Sequence, residues 1–248
     1  MSLLDQFSLE DEVALVTGGG AGIGKGIADT FAAAGASVVI CDLNEEKAQA
    51  AASEIAQTGG QAAGLACDVT DRVAREQLVE KAVGTFGKIS ILVNNAGGGG
   101  PKPFEMSLNE FQRAFELNVY SLFHLSQLCV PHMERNGRGS ILNISSMAGE
   151  NRNFRMTSYG SSKAAVNHLT RNMAFDLGPK GIRVNAIAPG AIRTEALASV
   201  LNPDIEKTML KHTPLGRLGK PSDIGQLRSG KFEVDGGCAP SGRKDHPI

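Results

Sequence analysis

Short apolar runs alternate with stretches of helical periodicity along most of this chain. Val13-Ala-Leu-Val-Thr17 is an unbroken apolar run of strand length, the pattern of a strand covered on both faces. Ile27, Phe31 and Ala34 follow at three- and four-residue spacing, and Gly35 closes the segment, which predicts a helix. The cycle then repeats. Ser37-Val-Val-Ile-Cys-Asp42 reads as a strand, residues 45–58 as a helix, and Gly64-Leu-Ala-Cys67 as a strand. Residues 71–86 read as a helix, and Ile89-Ser-Ile-Leu-Val93 as the next strand. One longer helix is predicted over residues 107–134. Another follows Tyr159 through Ala164, Ala165, Val166, Leu169, Met173 and Leu177, and Gly178-Pro179 ends it. Strands and helices that alternate across short connections predict an α/β fold, a doubly wound parallel sheet with helices on both faces.

Composition narrows this picture without redirecting it. No Pro-rich, Ser-rich or single-sign segment divides the 248 residues, so residues 1–248 read as a single domain. Apolar residues make up 42% of the chain and charged ones 21%, which suits a globule with a sizeable core. A net charge of −1 gives no footprint for nucleic acid or an anionic membrane. Met1 to Val13 lacks the basic start and apolar run of a signal peptide, and no apolar stretch is long enough to span a bilayer. Cys41, Cys67, Cys129 and Cys238 have no metal-type spacing and read as reduced thiols of a cytoplasmic protein. The five histidines form no metal-binding pattern, so no metal is expected.

The first strand runs directly into Gly18-Gly-Gly-Ala-Gly22-Ile-Gly24 and then into a helix. Strand, glycine turn and helix are the setting in which backbone amides and a helix N-terminus take a pyrophosphate, which makes the sheet Rossmann-type. Asp42 ends the second strand about 20 residues on, placed to accept from the ribose hydroxyls and to repel a 2′-phosphate. Leu43-Asn44-Glu45-Glu46 offers no cation to offset it, so the expected cofactor is NAD and not NADP. Asp68-Val69 and Asn94-Asn95-Ala96-Gly97 follow the next strands, where ligands of such sheets bind.

Tyr159 and Lys163 stand four residues apart on a predicted helix and therefore share a face. A tyrosine with a pKa of about 10 is a poor base at neutral pH, and lowering it by roughly three units takes about 4 kcal/mol. An ammonium at about 4 Å in surroundings of effective dielectric about 20 supplies about that much. A hydroxyl such as that of Ser146 could hold the same substrate oxygen.

Taken together, Thr17-Gly18-x-x-x-Gly22-Ile23-Gly24, Asn94-Asn95-Ala96-Gly97, Asn118, Ser146, Tyr159-x-x-x-Lys163 and Pro189-Gly190 resemble the short-chain dehydrogenases/reductases over residues 10–224. The resemblance implies a catalytic set of Asn118, Ser146, Tyr159 and Lys163. Tyr159 would take the proton of a secondary alcohol, Ser146 hold its oxygen and Lys163 bind the nicotinamide ribose. Asn118 would orient a relaying water. Gly18, Gly22, Ile23, Gly24, Asp42, Leu43, Asp68, Val69, Asn95, Tyr159, Lys163, Ile192, Arg193 and Thr194 are the expected NAD contacts. For Thr194, a second reading as a helix cap is compatible with the first.

Gly97-Gly-Gly-Gly-Pro-Lys-Pro-Phe104 and Ser146-Met-Ala-Gly-Glu-Asn151 resemble the hydroxysteroid-oxidising members of the family. This implies oxidation of the 7α-hydroxyl of a bile acid or other steroid, with Gly99, Ser146, Asn151 and Tyr159 as substrate contacts. A ketoacyl reductase or a sugar-alcohol dehydrogenase would use the same catalytic set, and fold alone does not separate them. Residues 190–215 are expected to be the substrate lid, and residues 195–215 within them carry two short amphipathic segments broken at Asn202-Pro203. Leu197, Val200, Leu201, Met209 and Leu210 there either lid an apolar substrate or pack on the sheet. Residues 225–248 depart from the family, whose members carry a long apolar helix there. The resemblance also implies a homo-oligomer, a tetramer, which that departure weakens.

Overall fold

The computed structural model describes residues 7–211 and 213–226. Six strands, β1 (Val13–Thr17), β2 (Ser37–Asp42), β3 (Gln61–Ala66), β4 (Ile91–Asn94), β5 (Gly139–Ile144) and β6 (Ile182–Ile187), form one sheet in the order β3-β2-β1-β4-β5-β6. Every pairing is parallel, with Leu15 opposite both Val39 and Leu92 at the centre. β1, β4 and β5 are buried along their whole length, and β1 accordingly reads as a continuous apolar run, whereas Ser140 and Asn143 interrupt that pattern in β5, which the sequence reading did not find. The strand order reverses between β1 and β4, so their carboxyl ends splay apart and open a crevice.

Helices cover both faces. On one side α1 (Gly22–Ala33) and α2 (Glu45–Gln57) bury Ile27, Phe31, Ala48 and Ile55 against Val16, Val38 and Val93. On the other, α3 (Arg72–Phe86), α5 (Ser121–Arg135) and α6 (Thr157–Leu177) bury Leu78, Leu125 and Val166 against Leu15, Leu92 and Ile141. Local chemistry sets the helix starts: Asn44 caps α2 by accepting from Lys47 N, and Asp71 caps α3 by accepting from Val73 N and Ala74 N. Asn44, not Asp42, thus caps the helix that follows β2.

Several boundaries differ from those the sequence suggests. β3 begins at Gln61, not Gly64, because its alanines and glycine pair in register with all of β2 although they carry little hydrophobic signal. The segment read as a single helix over residues 107–134 is α4 (Leu108–Phe115), a π-helical turn (Glu116–Tyr120) and α5. The extra residue per turn rotates Asn118 inward, something periodicity alone does not reveal. α7 (Glu195–Ala198) and α8 (Pro203–Lys211) form the two short segments, and Asn202 caps α8 by accepting from Asp204 N and Ile205 N. α9 (Pro221–Gly225) is a short helix lying directly on α1: a Cβ on Gly225 would sit 2.4 Å from Gly26 O. Residues 227–248, most of the segment expected to depart from the family and Cys238 with it, lie outside the described residues.

Candidate active site

The glycine turn is built by backbone geometry that side chains would prevent. Gly18 and Gly22 have φ of +60° and +57°, in the left-handed region. A Cβ on Gly24 would lie 2.2 Å from Gly18 O and 2.5 Å from Asn95 Nδ2, so Gly24 lets α1 close onto the turn and does not itself line the crevice. Thr17 ties the turn to the end of β4: its Oγ1 donates to Val93 O and accepts from the amides of Asn95 and Ala96. Asn95 Nδ2 donates to Thr17 O and Gly18 O, both at 2.9 Å.

A cleft of about 520 Å³ opens where the strand order reverses. Gly18, Gly22, Ile23, Asp42, Leu43, Asp68, Val69, Asn95, Ser146, Tyr159, Lys163 and Thr194 all line it. The start of α1 faces this space with Ala21 at its N-cap and no side-chain cap, so its first N–H groups remain available to an anion. A Cβ-free floor, open helix amides and a carboxylate at the end of β2 fit a dinucleotide. Asp42 Oδ2 accepts from Gly20 N and Oδ1 from Asn44 N, which fixes the carboxylate at the rim. Asp68 Oδ1 accepts from both the amide and the hydroxyl of Thr70.

The structure separates other expected residues from this cleft. Ile192 packs into the α1–α2 core and bridges Gly219, and Arg193 pairs with Glu206 on α8, so neither side chain lines it. Thr194 lines the cleft and also caps α7 by accepting from Leu197 N, so both readings of it hold. Asn151 is exposed in the loop before α6 and its side chain is not part of the cleft wall. The absence of a cation near Asp42 is corrected as well. Lys47, in the first turn of α2, lines the cleft and pairs with Glu195 of α7 at 2.9 Å.

The chemical groups converge at the carboxyl end of β5. Ser146 Oγ accepts from Ala148 N and so caps a single 3-10 turn, Met147–Gly149, beside Tyr159. The Lys163 ammonium, 4% exposed, donates to Ile144 O at 2.8 Å and lies 5.9 Å from the centroid of the Tyr159 ring. Burial pushes its pKa down to about 8. Gly99, at φ +147°, abuts the Tyr159 ring: a Cβ there would lie 2.6 Å from Cδ2. Asn118 is buried and fully paired, its Nδ2 donating to Gly98 O and Ser162 Oγ and its Oδ1 accepting from Gly98 N. A Cβ on Gly97 would stand 2.7 Å from Asn118 Oδ1 and 3.1 Å from Lys163 Nζ, so both groups back onto that glycine.

Sequence reasoning missed Ser145 and Ser162. Ser145 Oγ donates to Lys163 O, and Ser162 Oγ donates to Tyr159 O while accepting from Asn118. Both brace the Tyr159–Lys163 turn, and nothing local distinguishes them from surface serines.

The sequence pattern of the family described as short chain dehydrogenase matches residues 12–204. The 7alpha-hydroxysteroid dehydrogenase of Escherichia coli K12 is 60% identical over 220 residues, 89% of this chain and 86% of that protein. A tropinone reductase homolog of Arabidopsis thaliana is 37% identical over 225 residues, 90% and 85% of the two chains. The fold superposes with a TM-score of 0.89 on a 7 alpha-hydroxysteroid dehydrogenase complexed with NADH and 7-oxo glycochenodeoxycholic acid, 59% identical and covering 91% of this chain and 88% of that one. A short-chain type dehydrogenase/reductase from Mycobacterium marinum gives 0.86 at 38% identity, with coverage of 91% and 90%. With the glycine turn, the buried lysine under a tyrosine and these likenesses in hand, the chain belongs to the short-chain dehydrogenases, a family of oxidoreductases.

Proposed function

We propose that this protein oxidises the 7α-hydroxyl of a bile acid or related hydroxysteroid to a ketone with NAD. The observation that carries the reading is the Lys163 ammonium beneath the Tyr159 ring, beside Ser146, at the inner end of the cleft. It is supported by 60% identity to an enzyme named for this reaction. When bound, NAD supplies the hydride acceptor. The chain supplies the rest. Tyr159 takes the alcohol proton onto its phenolate oxygen, Lys163 holds the positive charge that favours that phenolate before the transfer, and Ser146 holds the alcohol oxygen by hydrogen bonding. Asn118 acts by position, clamping the Gly98 backbone and, through Ser162, the turn that carries Tyr159. Asp42 and the glycine turn seat the nucleotide, and Gly99 keeps the space beside the phenol clear.

Residues 190–215 form the substrate lid in this reading, and residues 1–248 act as one domain. Val200 is exposed on this segment, as an apolar lid needs. Leu108, Tyr120, Phe123 and Phe175 are exposed on α4, the π-helical turn, α5 and α6, which supports a homo-oligomer and, by likeness to the family, a tetramer. Cys41, Cys67 and Cys129 are free, buried thiols, which fits a reducing cytoplasm. Among the described residues no helix is long and apolar enough to cross a membrane.

The test is a panel of secondary alcohols read by NADH absorbance, with NAD and NADP side by side. Cholate and chenodeoxycholate should be oxidised with NAD, whereas deoxycholate, which lacks a 7-hydroxyl, should not. Silence on the 7α-hydroxylated acids together with turnover of a sugar alcohol or a hydroxyacyl thioester would replace the steroid reading.

A further inference from the structure

The mechanism leaves one charged contact at the cleft unused. Lys47, in the first turn of α2, and Glu195, the first residue of α7, lie 148 positions apart and meet at 2.9 Å. Both line the cleft at the end that carries Asp42. A Cβ on Gly20 would stand 2.9 Å from Asp42 Oδ2 and 2.9 Å from Lys47 Cβ, so Asp42 and Lys47 flank the same glycine.

Three charges therefore occupy the corner that meets the adenosine ribose: two carboxylates and one ammonium. Asp42 is tied to two backbone amides and keeps its place. Lys47 alone would cancel its charge and give a 2′-phosphate a counter-ion, which is how this fold accommodates the phosphorylated cofactor. Glu195 prevents that in two ways: it occupies the ammonium, and it leaves the corner with a net negative charge. The contact has little other purpose. The side chains are 49% and 76% exposed, and an ion pair that open to water contributes little to stability. Thr194, not Glu195, caps α7.

We propose that Glu195 is a specificity-determining residue: by holding Lys47 it denies the ribose corner's only adjacent cation among the described residues to a 2′-phosphate. The inference rests on the nucleotide reading of the cleft. Calorimetric titration of the whole protein with ADP and with 2′,5′-ADP isolates the phosphate in question, and kcat/KM for NAD and NADP provides a second readout. In Glu195→Gln, affinity for 2′,5′-ADP relative to ADP should rise about tenfold, as expected for one unit charge against a phosphate in near-aqueous surroundings. The NADP-to-NAD ratio of kcat/KM should rise with it. Both gains should vanish in the double variant Glu195→Gln, Lys47→Gln, and shrink in high salt. ADP binding with an unchanged ratio in Glu195→Gln, or a gain that survives loss of Lys47, overturns the inference alone. A wild-type protein that binds neither nucleotide overturns the reading of the cleft and the inference with it.

Discussion

The Lys163 ammonium lies 5.9 Å from the centre of the Tyr159 ring, one helical turn along α6, and is anchored to Ile144 O at 2.8 Å. The lysine thus bridges the carboxyl end of β5 and the helix that carries the phenol. Its charge is held where water is excluded, so it acts on Tyr159 with less screening than a surface pair would. Each expectation below depends on that placement or on the backbone packing around it.

Tyr159→Phe removes only the hydroxyl of a half-buried side chain. We expect kcat to fall by about 10²–10⁴, the range for loss of a positioned proton-transfer group. Affinity for NAD, measured by calorimetry, should stay within about twofold because the ring and its lysine contact remain. Retained turnover would remove Tyr159 from the chemistry.

Burial holds Lys163 at a pKa of about 8, down from 10.5. For a base lowered in this way, the unfolded chain binds more protons than the folded one between about pH 8 and 10.5. Stability therefore rises with pH across that window, and below pH 8 the folded state carries the full cost of the buried charge. That cost is on the order of 3 kcal/mol at 1.36 kcal/mol per pH unit. Urea unfolding of the wild type and Lys163→Met at pH 7.5, 9 and 10.5 should show the wild type gaining on the variant as pH rises. Parallel curves would mean that this ionisation is not linked to folding.

Gly24→Ala places a methyl 2.2 Å from Gly18 O, backbone against backbone, where no rotamer change gives relief. Helix α1 has to shift, and its amides leave the cleft with it. A loss of about 1–3 kcal/mol is expected from such overpacking, together with a tenfold or greater weakening of ADP binding. Thermal melts and calorimetry read the two effects separately.

Asn118→Ala leaves the Gly98 amide and carbonyl without their partner and frees Ser162. Buried polar groups left unpaired cost about 1–3 kcal/mol. Because the same amide braces the loop behind Lys163, kcat should fall tenfold or more while the KM for NAD changes little. A stability loss with unchanged kcat would make Asn118 a structural residue only.

The alternation of strands and helices through β4, the glycine turn and the Tyr159–Lys163 spacing were legible in the sequence, whereas β5 and β6, whose apolar residues are interrupted by Ser140, Asn143, Arg183 and Asn185, were not. The legible features are local patterns: an apolar run makes a buried strand, glycine alone tolerates the φ of this turn, and four residues span one helical turn. Family membership could be read for the same reason, since its motifs are short and keep their order along the chain. What lay beyond reach joins residues far apart. The π-helical turn that turns Asn118 toward Gly98, the hydroxyl of Thr17 tying β1 to the end of β4, the diversion of Arg193 to Glu206 and the pairing of Lys47 with Glu195 all depend on packing between elements. Side chains choose partners by distance in space, and chain separation says nothing about that until the sheet is assembled.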